Sequence, residues 1–470
     1  MSPSSAPTHA ALALNRFGLG ARPDETPPAD PKAWLLGQFE RHVARPAAWA
    51  DTPASSSLLV AYGEQLRAVR QADAGTAQAR RAEFAAQTQA RYRSAVEARV
   101  TSSLATPSPF GERLVHFWAN HFAVSVDKMP LAALAGTFEL EAIRPQVFGR
   151  FEDLLLGVER HPAMLLYLDQ ARSVGPTSPL GRRDAARRPD KARGLNENLA
   201  REILELHTLG VNGGYSQGDV QELARALTGW SLGALPGVPP MPQGGVTPGG
   251  FGFNPLLHEP GARQLLGRRY DVGGQAQAEA ILRDLASAPA TARHLSFKLA
   301  RHFVADTPPP ALVDRLAEAW LRSRGDLPTV YRALIDAPEA WGAEALQSPK
   351  FKTPWEWVVS TLRGLGRNEP GRQPIAPLLT QLGQPVWRPG SPAGFDDVAE
   401  SWVAPDSLLR RVDAAQRIAE RAGGSVDART LGPRLLPAGL SDDTAKAIAR
   451  AESASTALAL LLVSPEFLRR

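Results

Sequence analysis

Apolar residues recur along this chain at the three- and four-residue spacing of helices, and almost nowhere alternate as strands do. The spacing predicts helices over 32–45, 109–122, 130–145, 150–157 and 161–169, then over 273–286, 289–304, 309–323, 326–336, 350–364, 405–421, 441–452 and 454–469. Residues 56–103 have few breakers and read as one long helix or a helical hairpin. Only Gly267 to Val272 reads as a short strand. The expected class is therefore all-α: one helical domain over 1–470 with long ordered loops and little or no sheet. Two loops are Pro- and Gly-rich, 233–256 and 366–400. They carry Phe251, Phe253, Trp387 and Phe395, and so should pack on the helical body rather than separate domains.

The densest pattern is GLNENLAREILELHTLGVNGGYSQGDVQELARALTGWSL at 194–232, read as helix, double-glycine turn, helix. At about 100° per residue, Leu195, Leu199, Ile203, Leu206 and Leu209 share a face. Glu202 falls inside that face, Asn198 and Glu205 at its edge. Glu197, Arg201 and Glu205 form an ordinary i, i+4 ladder. Gly210 suits a C-terminal cap, and Ser216 with Asp219 suits the start of the next helix. A carboxylate on an apolar face needs a partner, so Glu202 marks either a structural keystone or the floor of a site.

Composition narrows the classes. Hydrophobic residues are 43% and charged residues 21%, ordinary for a globular protein. No apolar run would cross a bilayer, and residues 1–20 show no secretory signal, which points to the cytoplasm unless a partner carries the chain out. With no cysteine, disulfides and thiolate chemistry are excluded. The net charge of +5 is too small to argue for nucleic acid. The basic residues gather in RRDAARRPDKAR at 182–193, within an expected basic loop over 171–193. It reads as a solvated strip or as a charged lid before the key helix.

The 109–122 helix repeats the oddity of Glu202: His121 projects from a face made of Phe110, Leu114, Phe117 and Trp118, with Arg113 and Asn120 at its border. On 289–304, Lys298 and His302 lie beside Leu295 and Leu299. If the helices pack, a buried Glu202–His121 pair is the simplest satisfied arrangement. It would be either a core tie or the general base of a cleft, with Lys298 and Asp169 as further catalytic candidates. Asn120, Asn198, Arg201 and His258 are candidate ligand contacts, His258 in a lid pair with Glu259. A divalent metal is a third reading, through His121, Glu202, Glu205 and His207. The spacing fits no known metal motif, and on an ideal wheel His207 lies well away from Glu202. No P-loop, G-x-S-x-G or dinucleotide fingerprint is present.

Several segments together resemble a bacterial family catalogued as a domain of unknown function, number eighteen hundred. They are ALNRFGLGARP at 13–23, ERLVHFWANHFAVS at 112–125, HPAMLLYLDQARS at 161–173, the 196–230 block, LHEPGARQLLG at 257–267, and Lys350 to Trp357 with the LGQPVWRPGSPAGF stretch. The resemblance implies a compact, mostly helical protein. It also implies a gene neighbour encoding a sulfatase-like protein with a twin-arginine export signal, hence a partner and co-export to the periplasm. This chain departs from the family's usual pattern at Leu199, where an aromatic is common, and at Glu259 and Arg263, where Asp and Lys are. Two functions follow: an enzyme with a Glu/His-centred polar cleft, hydrolytic or metal-assisted, or a non-catalytic partner or scaffold of the sulfatase-like protein.

Overall fold

In the computed structural model, helices carry nearly all of the regular structure, with two small two-stranded sheets. The structure describes residues 8–187, 194–233, 235–239, 241, 247–347 and 350–470. One contiguous set of buried side chains runs from Leu12 to Leu468. No helix among the described residues is long and apolar enough to cross a membrane.

The 56–103 stretch is a helical hairpin. Ser55–Gln71 ends before Asp73, whose carboxylate accepts from the Thr76 amide and starts Ala74–Ala105. Ser102 on the second helix anchors the buried Trp49 indole at 2.8 Å. Several helices begin with proline in the first turn, where no amide hydrogen is needed: Pro109–His121, Pro289–Phe303, Pro310–Ser323, Pro354–Gly364 and Pro405–Ala422. Ser216 and Asp219 form the reciprocal cap expected for Gln217–Leu227.

Both long loops contain regular structure that the sequence did not reveal. Trp230–Leu232 pairs antiparallel with Phe251–Phe253, so the 233–256 segment begins from one strand and ends through another. Ile375–Gln381 interrupts 366–400 with a helix. The expected strand is Arg268–Tyr270, paired with Arg263–Leu265 across Leu266 (φ 50°) and Gly267 (φ 77°). Two successive positive φ angles are what a tight hairpin turn requires. The expected basic loop carries a helix, Pro179–Arg187; residues 188–193 lie outside the described residues.

The key block departs from an ideal helix. Asn198–Glu202 is α-helical, but Ile203–His207 winds as a π-helix. Bonding to i+5 turns each residue by less than the α-helical 100°, so the buried face slips after Glu202. Leu204 and His207 become buried, while Glu202, Glu205 and Leu206 stay partly exposed. An ideal wheel therefore misplaces His207, which is 1% exposed.

Candidate functional site

The helices Pro109–His121 and Pro289–Phe303, the start of Pro354–Gly364 and the loop 384–397 enclose a cleft of about 230 Å³. This is a little under the roughly 300–1,000 Å³ of sites that hold drug-sized ligands, so it suits a small molecule or one group of a larger one. Helix geometry selects its lining. Arg113, His116, Phe117, Asn120 and His121 fall at three- and four-residue steps along one side of the first helix. Lys298, Arg301 and His302 do the same on the second.

Two polar pairs dominate one wall. Lys298 Nζ stands 2.9 Å from His121 Nδ1, while His121 Nε2 lies 3.2 Å from the His207 carbonyl. A carbonyl only accepts, so Nε2 carries the hydrogen and Nδ1 offers its lone pair to Lys298. One turn further along, His302 Nδ1 is 2.7 Å from Asp397 Oδ2. The carboxylate fixes hydrogen on Nδ1 and leaves Nε2 bare, and that buried nitrogen has no hydrogen-bond partner among the described residues. Asp397 also receives Arg470 Nη2 at 3.1 Å, and its backbone carbonyl takes Lys350 Nζ at 2.6 Å.

Burial and like charge lower the proton affinity of the basic groups. Burial pulls Lys298 down to about 8, with Arg301 adding to the effect and Asp397 opposing it. Burial and then Lys298 drive His121 well below the usual histidine range. His302 falls to about 4 through burial, against the pull of Asp397. For Asp397, burial acts upward, but His302, Arg470 and Lys350 outweigh it and hold the carboxyl below its ordinary range. The wall thus presents neutral imidazoles beside an amine poised near neutrality.

Ion pairs and ring contacts tie together the rest of the lining. Glu356 binds Arg113 and lies 3.0 Å from Arg470 Nε. Arg99 lies 2.7 Å from Glu139 and is packed between the Trp355 and Trp387 rings. His116 accepts from the Trp355 indole at 3.2 Å. The 384–397 loop is clamped by Asn120, whose amide donates to the Phe395 carbonyl and whose oxygen accepts from the Phe395 amide, each at 2.8 Å.

Of the residues singled out from sequence, Arg113, Asn120, His121, Lys298 and His302 meet at this cleft, with the aromatics Phe117, Trp387 and Phe395. The other candidates lie elsewhere. His207 Nδ1 makes a buried hydrogen bond to Glu159 at 2.7 Å. His121 is held by Lys298 and the His207 carbonyl, not by Glu202. Glu202 is partly exposed, its carboxyl raised by burial. Glu205 accepts from Tyr215 at 3.4 Å. Asp169 takes a left-handed backbone (φ 56°), caps nothing with its side chain and pairs with Lys128 at 2.9 Å on the surface. Asn198 is exposed, and Arg201 bridges Glu197 and Gln217. His258 lies 2.8 Å from the Thr228 carbonyl through Nδ1, while its neighbour Glu259 binds Thr177.

No group of three or more His, Asp or Glu side chains among the described residues is arranged to hold a metal ion. Sequence reasoning missed Asp397, Glu356 and His116. The only hint of Asp397 was its place in the aromatic-bearing GFDD segment.

No curated protein and no solved structure matches the chain. A family does match, over residues 12–469: the chain belongs to the family described as Protein of unknown function (DUF1800).

Proposed function

We propose that the chain is a hydrolytic enzyme whose acid–base centre is Lys298 with His121, seconded by His302 with Asp397. The carrying observation is the 2.9 Å contact between Lys298 and His121 in a cleft where the lysine has no carboxylate in ion-pair contact among the described residues. A lysine poised near neutral pH supplies both halves of proton transfer. Its neutral amine accepts a proton from water as water attacks the substrate, and its ammonium form returns that proton to the leaving group. His121 holds the amine in place through its lone pair, itself oriented by the His207 carbonyl. The bare Nε2 of His302, set by Asp397, is a second proton acceptor one turn away.

The alternative, a non-catalytic partner of a sulfatase-like protein, needs these groups to be core ties closed to water. The placement of Lys298 on an open cleft favours the enzyme. The test is a panel of ester, amide, phosphoester and glycoside substrates, run on the wild type and on Lys298→Met and His302→Asn. Activity abolished in both variants, with circular dichroism unchanged, supports the proposal. Activity retained in Lys298→Met, or a wild type inert toward the whole panel, removes it.

A further inference from the structure

Charge balance around the cleft is uneven. Arg113 is neutralised by Glu356, and Arg99 by Glu139. Asp397 serves His302, Arg470 and Lys350 together. Lys298 and Arg301 are three residues apart on one helix and both line the cleft. Neither has a carboxylate in ion-pair contact among the described residues. Arg301 spends its Nε on the Asp306 carbonyl at 3.1 Å and lies over the Phe297 ring, which fixes its stem and leaves both Nη groups without an acceptor among the described residues. The remaining lining carboxylate, Asp396, is exposed and accepts from Ser401 at 2.9 Å.

We propose that the cleft takes a substrate bearing an oxyanion, a carboxylate or phosphoryl group, held between Lys298 and Arg301. This rests on the acid–base reading for the reaction that follows, but the binding stands by itself. A planar guanidinium pinned on an aromatic ring presents paired N–H donors suited to two oxygens of one anion, and the lysine adds a point charge beside it. Both side chains are half-buried and lack a carboxylate counter-ion among the described residues, and an anion bound between them supplies one. His121, already the acceptor for Lys298, would then stand beside the bond next to the anionic group.

The experiment is calorimetric titration of the whole chain with inorganic phosphate and, separately, acetate, at fixed pH and constant ionic strength made up with chloride. Saturable binding of either anion is expected, at least tenfold weaker in Arg301→Gln and in Lys298→Met, and within twofold of wild type in Glu202→Gln, which lies outside the cleft lining. Preference for phosphate assigns a phosphoryl group; preference for acetate assigns a carboxylate. Neither anion binding more tightly than chloride, or affinity unchanged in Arg301→Gln and Lys298→Met, overturns the proposal. Anion binding as expected, with the substrate panel uncleaved, removes the hydrolytic reading and leaves this one standing.

Discussion

Lys298 Nζ and His121 Nδ1 lie 2.9 Å apart although the residues belong to different helices. The histidine can only accept in this contact, because its other nitrogen is committed to the His207 carbonyl. Lys298→Met removes the amine and keeps the volume. A loss of about 10²-fold or more in kcat/KM is expected, from the usual size of a general acid–base contribution. Lys298→Arg keeps charge but cannot titrate, so the limb of the pH–rate profile near pH 8 should vanish with it. Steady-state kinetics across pH 6–10 on any cleaved substrate of the panel check both.

The stability consequence of Lys298 has a definite sign. Its folded value of about 8 lies below the ordinary 10.5. Between those values the unfolded chain binds more protons than the folded one, so unfolding free energy should rise with pH across that window. Lys298→Met should flatten this rise. Denaturant titrations at pH 7.5 and 10.5 measure it; equal slopes in both proteins would speak against a desolvated lysine.

Asp397→Asn should separate two roles. Losing the carboxylate frees His302 to take the other tautomer, and an activity loss of about 10²- to 10⁴-fold follows where such a carboxylate sets the histidine. It also takes one carboxylate from Arg470 and Lys350, which keep Glu356 and Asp306 respectively. Leaving a buried charge unpaired costs about 3–5 kcal/mol; with both cations still paired and the Asp397 side chain 24% exposed, a smaller loss of about 1–2 kcal/mol is expected in denaturant unfolding.

Much of this was visible in the sequence, and the limits were physical. Helix spacing put Lys298 beside His302, and His121 beside Asn120, because those pairs are local. The His302–Asp397 pair spans 95 residues, and no local pattern encodes a contact of that range. Glu202 drew attention through an α-helical wheel, but the π-turn over Ile203–His207 slips the face and sends His207 inward to Glu159. Winding of that kind is decided by tertiary packing and leaves no periodic signature. The fold class was plain from periodicity. The Trp230–Phe253 strand pairing was not, because three-residue strands are too short to alternate.

Asn120 and Gly394 are where the cleft's loop meets the Pro109–His121 helix. Asn120→Ala deletes both hydrogen bonds to Phe395. Gly394 has φ +84°, and a Cβ there would sit 2.2 Å from the Asn120 carbonyl oxygen, so Gly394→Ala must push the loop away. Both variants should raise KM more than they lower kcat and speed amide hydrogen exchange at Phe395. Unchanged exchange there in both would show that the loop is held by other contacts.

Glu202→Gln should be nearly silent in activity, within about twofold, because Glu202 lies outside the cleft lining. Burial raises its carboxyl, so the charge is a small burden at neutral pH. The amide should add about 0.5 kcal/mol at pH 7, the size of a partly exposed charge effect, and that gain should fade below the ordinary carboxylate value of 4.5. Thermal unfolding at pH 7 and pH 4 gives the comparison.

The most direct measurement is the side-chain titration of Lys298 by NMR, tractable because the chain has seven lysines. With ¹³C/¹⁵N-labelled lysine, the resonance that disappears in Lys298→Met should titrate near 8 in the wild type and move in His121→Phe. A Lys298 resonance titrating near the ordinary 10.5 and indifferent to His121 would contradict a poised acid–base pair at this cleft.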